Sequence, residues 1–306
     1  MVSRARLTGI AAAAFVLIVA GTVVSLGRGD DSAGSAGETD AEQLTVSLKR
    51  YRRDEARRVI QAAVTNRGAT PITVERLQLE TAGFTPVAAS AQDAVIRPGD
   101  RIDLPIQLGE GRCDHNEASP SRPPTAGPAT VVVRVRSADT SSHELRLPLP
   151  QPVELLDRIL ALECRQRALA QAVDIGFGDS WTNGVARGRP ALFGSIGISR
   201  RPGSRPAPSV TVVDLAGTVI FGMRPAGPRS APPVQLGSAA QALTIPVEII
   251  VERCDGHALA ESKRSYFFPL WISLGSEPEV YLSIQPDDAV RRQMEALIRD
   301  ACNLGG

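Results

Sequence analysis

Two stretches of this chain align without a gap, and a repeat of that kind calls for two copies of one structural unit. Leu104-Pro105-Ile106-Gln107-Leu108 leads to Arg112-Cys113-Asp114, and Ile245-Pro246-Val247-Glu248-Ile249 leads to Arg253-Cys254-Asp255. In both, the proline stands eight residues before the cysteine. Each block is followed by an exposed stretch and two strand-like runs, residues 130–135 and 144–149 in the first half, 266–274 and 280–284 in the second. Each half then closes on a stripe of helical period that reaches a second cysteine: Leu156, Ile159, Leu160 and Cys164, then Val290, Met294, Leu297, Ile298 and Cys302. Asp287 and Asp288 suit the start of the later helix, where carboxylates meet unpaired N–H groups.

Upstream of the first block the pattern is strand and turn. Residues 44–48 alternate, residues 59–64 follow a charged turn, Asn66-Arg67-Gly68 breaks the chain, and residues 72–79 alternate again. Arg97-Pro98-Gly99-Asp100 is a further turn before the Leu104 strand. In the second half residues 191–198, 210–213 and 217–221 are expected to play the same part. Short alternating strands punctuated by turns predict β-sandwiches.

The N-terminus carries a different signal. Residues 7–26 are uncharged, and twenty residues at about 1.5 Å each make a helix of about 30 Å, the thickness of a bilayer core. Arg4 and Arg6 precede this run, whereas Arg28 is offset by Asp30 and Asp31, so positive charge favours a cytoplasmic N-terminus (residues 1–6) and an exported remainder. A cleaved signal peptide is the rival, but the run is long for one and no clear A-x-A site follows. Residues 27–43 have the Ser, Gly, Ala, Asp and Glu composition of a solvated tether.

Four cysteines allow three pairings, and the repeat places one pair of nearly equal spacing in each half. The expectation is therefore Cys113 with Cys164 and Cys254 with Cys302, each closing a loop worth roughly 4 kcal/mol on a chain-entropy basis. An exported location makes their oxidation plausible. A zinc or copper thiolate site is disfavoured, because CxxC pairs are absent.

The run from Asn66-Arg67-Gly68 through Pro98-Gly99 to the cysteine strand is similar to bacterial immunoglobulin-like modules. Arg253-Cys254-Asp255-Gly256-His257-Ala258-Leu259-Ala260-Glu261-Ser262 resembles a segment recurring in actinobacterial membrane-anchored proteins that carry such modules in tandem. The abundance of Ala, Gly and Pro fits such a GC-rich source, as does the use of arginine for all basic residues except Lys49 and Lys263. Together these readings predict a mainly β protein, a transmembrane helix followed by two tandem Ig-like β-sandwiches, residues 44–165 and 172–303, each closed by a C-terminal α-helix and one disulfide. The likeness departs from true immunoglobulin domains: the first half has no tryptophan to pack on its bridge, and each second cysteine falls on a helix. It implies no activity.

A search for chemistry returns little. The histidines are His115, His143 and His257, and no G-x-S-x-G elbow, phosphate loop or dinucleotide fingerprint is present. Gly178-Asp179-Ser180 resembles the nucleophile triplet of GDS-type esterases, but the late Asp255-Gly256-His257 has one spacer where those enzymes need two. The expectation is a non-enzymatic module without a cofactor or a metal site. The most suggestive constellation is Arg112, Asp114 and His115 in one half and Arg253, Asp255 and His257 in the other. It reads either as a strand end whose aspartate takes backbone N–H groups, or as a metal-handling site. Net charge is +1, which argues against nucleic acid as a partner. Local excesses remain. Arg187, Arg189, Arg200, Arg201, Arg205, Arg224 and Arg229 face the single acid Asp214, and residues 49–58 hold six bases against Asp54 and Glu55. Either could meet an anionic envelope polymer or lipid headgroups, and the Pro-rich stretches 120–128, 202–208 and 225–233 could present a surface to an envelope protein.

Overall fold

The computed structural model describes residues 43–113, 124–136, 141–203, 208–227 and 231–304. The first half comprises β1 (Leu44–Lys49), β2 (Val59–Asn66), β3 (Ile72–Thr81), β4 (Ser90–Ile96), β5 (Arg101–Gln107), β6 (Ala129–Arg136), β7 (Ser142–Pro148) and α1 (Glu154–Ala172). The second comprises β8 (Val173–Phe177), β9 (Thr182–Ala186), β10 (Arg189–Arg200), β11 (Val210–Leu215), β12 (Phe221–Pro225), β13 (Val234–Leu236), β14 (Ala242–Val251), α2 (Gly256–Glu261), β15 (Phe268–Leu274), β16 (Val280–Ile284) and α3 (Asp288–Cys302). The protein is mainly β, with sandwich-like sheets.

Each half builds two antiparallel sheets, and their paths correspond. In the first half the orders are β1-β2-β5 and β4-β3-β6-β7. In the second they are β8-β10-β14 and β13-β11-β15-β16, with β12 added outside β14 and β9 pairing β10. Alternation drives this: Ile60, Ala62 and Val64 on β2 and Val131, Val133 and Val135 on β6 are all 0% exposed, and their neighbours along each strand turn to the other face. One core draws on both sheets of the first half, the other on both sheets of the second.

The repeated proline finds its reason in strand pairing. Pro105 lies opposite Gln61 and Pro246 opposite Ser195. Each turns its carbonyl away from that partner strand, the first to Gln92 Nε2 (3.0 Å) and the second to the Ala226 N–H (2.9 Å). A residue at such a position would point its own N–H to the same outer side, and proline has none to leave unpaired.

The two turns singled out in the first half are joined through one side chain. Asn66 is fully buried; its Nδ2 donates to the carbonyls of Thr70 (2.8 Å) and Ile96 (3.0 Å), and its Oδ1 accepts from Gly68 N (2.8 Å). Its backbone bonds Asp100 and Gly99 across the second turn, where Gly99 has φ +79°. Residues 217–220, expected as strand, form a turn instead: Thr218 Oγ1 accepts from the N–H groups of Ile220 (3.2 Å) and Phe221 (3.1 Å), and the strand starts only at Phe221.

Helix α1 departs most from expectation. The stripe ending at Cys164 is there, with Leu156, Ile159 and Leu160 buried in the first core, but the helix runs on through Arg165-Gln166-Arg167 to bury Leu169 and Ala172 in the second. Leu156 and Leu169 lie about 140° apart at 100° per residue, so different faces enter different cores. β8 begins at Val173, directly after the helix, and no linker intervenes. Disulfides tie Cys113 to Cys164 and Cys254 to Cys302, with Cα–Cα distances of 5.3 and 5.4 Å. Among the described residues no helix is long and apolar enough to cross a membrane; residues 7–26 and most of the tether lie outside them.

If α1 couples the halves, the described region should unfold in one transition. Ala168 is exposed on α1 between the two buried stripes. Ala168→Pro should cost about 3 kcal/mol through the broken helix and split chemical unfolding into two phases. A single unshifted transition in that variant would count against the coupling.

Candidate functional site

The second repeated motif is a helix start. Asp255 accepts a hydrogen bond from Ala258 N (2.9 Å) and caps α2, while Arg253 Nε donates to its other oxygen (3.0 Å). The Ala258 N–H, and after it the Arg253 guanidinium, hold the Asp255 carboxyl below the usual carboxylate range. His257 stands two residues along, its side chain 75% exposed, with Nδ1 3.2 Å from Glu261. It turns toward this i+4 neighbour on the open surface of α2. In the first motif Arg112 donates its backbone N–H to Gly83 O (2.8 Å), and Asp114 and His115 lie outside the described residues. Among the described residues no three His, Cys, Asp or Glu side chains gather in metal-binding range. The Gly178-Asp179-Ser180 triplet is the β8–β9 loop, where Gly178 bonds Ser195 O (2.8 Å) and accepts Trp181 Nε1 (2.6 Å).

The described arginines of the 187–229 run have partners in their own chain. Arg187 faces Glu248 (3.4 Å), Arg189 donates to the Val251 carbonyl, Arg201 pairs with Asp174 (2.5 Å) and Arg224 with Glu252 (3.1 Å). Arg200 ties three loop carbonyls, those of Ala240, Pro208 and Gly237, at 2.9 to 3.0 Å. Arg205 and Arg229 lie outside the described residues. Acids distant in sequence, on β8 and β14 and just past β14, neutralise what looks like a one-signed run.

An ionic knot beside the first disulfide was not legible in the sequence. Glu163 on α1 receives Arg58 Nη1 (2.9 Å) and the Gly111 N–H (3.1 Å), and Arg58 also donates to the Gly109 carbonyl. Arg167, one turn further along α1, donates to Gly111 O (2.9 Å) and approaches Cys113 Sγ (3.2 Å). Arg58 has φ 55°, a left-handed backbone that turns its side chain off the hairpin into this knot. The groups come from segments far apart in sequence, so no local pattern announces them.

The other basic run is different. Between β1 and β2 the chain makes a single 3-10 turn at Arg52–Asp54, which buries Asp54 against Gln61 Nε2 (2.8 Å). Tyr51 donates its hydroxyl to Asp103, and the Arg53 guanidinium lies 5.3 Å from the centre of its ring. That hydrogen bond lowers the Asp103 pKa and raises that of Tyr51. Among the described residues Arg50, Arg52 and Arg57 have no ion pair, and Arg53 has only a 4.0 Å approach to the buried Asp54.

No protein-family model matches the chain, and no curated protein does. Among solved structures the chain is similar to a red sea bream transglutaminase at 9% identity and a TM-score of 0.21, over 80% of this chain and 31% of that one. It is also similar to the YadV chaperone at 13% identity and a TM-score of 0.18, over 79% of this chain and 99% of that one. The chain thus spans less than a third of the transglutaminase, and likenesses this loose carry no functional assignment.

Asp255→Ala should lower the melting temperature at neutral pH, whereas His257→Ala should leave it unchanged. Because the folded carboxyl has a lowered pKa, its stabilising effect is present above the ordinary carboxylate range and lost as pH falls through the folded value. The gap between wild type and Asp255→Ala should therefore close in acid, and a gap constant down to low pH would contradict the capping role. Glu163→Gln should cost about 2 kcal/mol in urea unfolding, since Arg58 and Gly111 N–H lose a charged acceptor; an unchanged midpoint would dissolve the knot.

Proposed function

We propose that this protein is a membrane-anchored, extracytoplasmic binding or scaffolding module of the cell envelope, non-enzymatic, built from two tandem immunoglobulin-like sandwiches. The observation that carries this reading is the continuous helix α1, buried in both cores and bridged at Cys164. A rigid joint between two sandwiches fixes the spacing of their surfaces, which suits presentation or spacing of partners. Two antiparallel sheets in each half, of three and four strands in the first and five and four in the second, with matching central paths, support the immunoglobulin-like assignment. Disulfides in both halves accord with an oxidising compartment. In this reading residues 1–6 are cytoplasmic, residues 7–26 span the plasma membrane, and modules 44–165 and 172–303 stand outside on a tether. Actinobacterial membrane-anchored proteins with such modules are its proposed relatives.

Metal handling is the competing reading, and the capped, ion-paired Asp255 favours the scaffold over it. Protease added to spheroplasts should digest the bulk of the chain and leave a membrane-bound remnant. A fully protected chain, or a soluble form lacking residues 1–26, would refute the anchored topology.

A further inference from the structure

The β1–β2 hairpin tip gathers Lys49, Arg50, Arg52, Arg53 and Arg57, and we infer that it is a binding site for a phosphate-bearing polyanion lying beyond the membrane. The inference rests on the exported, N-terminally anchored topology proposed above.

A near-neutral chain does not require such a patch, and the turn is arranged to keep it basic. Of its two acids, Asp54 is turned inward, 6% exposed and bonded to Gln61. Asp103, the carboxylate beneath the tip, is engaged by the Tyr51 hydroxyl and by Arg101 (3.0 Å). Glu55 alone stays exposed on the turn. The sixth base, Arg58, is drawn into the ionic knot with Glu163, and the nearby Glu110 is flanked by Arg58 (3.6 Å) and Arg167 (3.7 Å). The bases left over are four arginines and one lysine, three of them, Arg52, Arg53 and Arg57, exposed.

Arginine presents a planar fork that takes two phosphate oxygens at once. Tyr51, 36% exposed and fixed by its hydroxyl, holds Arg53 over its ring and so limits that side chain's freedom before binding. The charges are spread over a convex turn, which suits successive phosphates of a polymer rather than one small anion in a cleft. The position fits a polymer rather than lipid. The chain enters β1 at Leu44, paired with Asn66, and the tip follows Lys49, paired with Gln61, so the bases lie about 20 Å along the strand from the anchored end.

The test uses the full chain in a neutral detergent with long-chain inorganic polyphosphate as the probe. Wild type should bind with an affinity that falls steeply with salt. The triple change Arg52→Gln, Arg53→Gln, Arg57→Gln should weaken binding at least ten-fold and flatten the log–log salt slope by about 2. Its melting temperature should hold, because all three side chains are exposed. Arg187→Gln, Arg201→Gln, Arg224→Gln should bind within two-fold of wild type. Unchanged binding by the tip variant, equal loss in both variants, or binding to phosphatidylglycerol vesicles but not to polyphosphate would overturn the assignment. Polyphosphate binding lost at the tip in a chain whose bulk proves cytoplasmic would remove the anchored topology and keep the chemistry of the tip.

Discussion

Helix α1 lies inside both hydrophobic cores at once, and the architecture depends on that. Leu156, Ile159 and Leu160 are buried among the first pair of sheets and Leu169 and Ala172 among the second, with exposures of 6% or less. Burying a leucine is worth about 2 kcal/mol, so withdrawing the first end would expose three large aliphatic side chains and withdrawing the second would expose Leu169 and Ala172. β8 starts at the residue after the helix, which leaves no slack for one half to move alone. The joint is reinforced where the two faces change over. There Cys164 holds the strand-end segment of the first half, Glu163 holds Arg58 and Gly111, and Gln166 reaches the Tyr281 carbonyl of the second half at 3.5 Å.

Polar groups are settled around this frame by few side chains. Asn66 satisfies two carbonyls and one N–H while its backbone pins the opposing turn, so two loops far apart in sequence share one fate. Glycines allow close approaches elsewhere. A Cβ on Gly109 would lie 1.9 Å from Thr85 O, and one on Gly194 would lie 2.2 Å from the Trp181 ring. Trp181 thus covers a strand glycine in the second half, where its indole N–H is also satisfied by Gly178 O. The first half has no tryptophan.

The charge pattern divides along the same line between local and distant partners. In the second half Arg187, Arg189, Arg200, Arg201 and Arg224 are matched by Asp174, Glu248 and Glu252, or by carbonyls, and so serve the fold. At the β1–β2 tip Asp54 is buried and Asp103 engaged, only Glu55 among the tip's acids stays exposed, and Arg52, Arg53 and Arg57 face solvent. Counting signs along the chain cannot separate the two cases, because the acids that neutralise Arg187, Arg201 and Arg224 lie on or beside other strands.

The sequence by itself determined the features that depend on short-range periodicity or on the internal repeat. It placed most strands within a residue or two, because inward and outward residues alternate. It also placed the cysteine pairing and α3, whose apolar stripe and Asp287 cap lie in one continuous stretch. Only the tertiary structure decided the reach of α1, since its apolar residues serve two cores on different faces and dilute any single stripe. It also decided β4 and β9, which sit at sheet edges and bury few side chains. Above all it decided which arginines are free. That depends on acids brought from other strands, and such pairings form only once the sheets are in register.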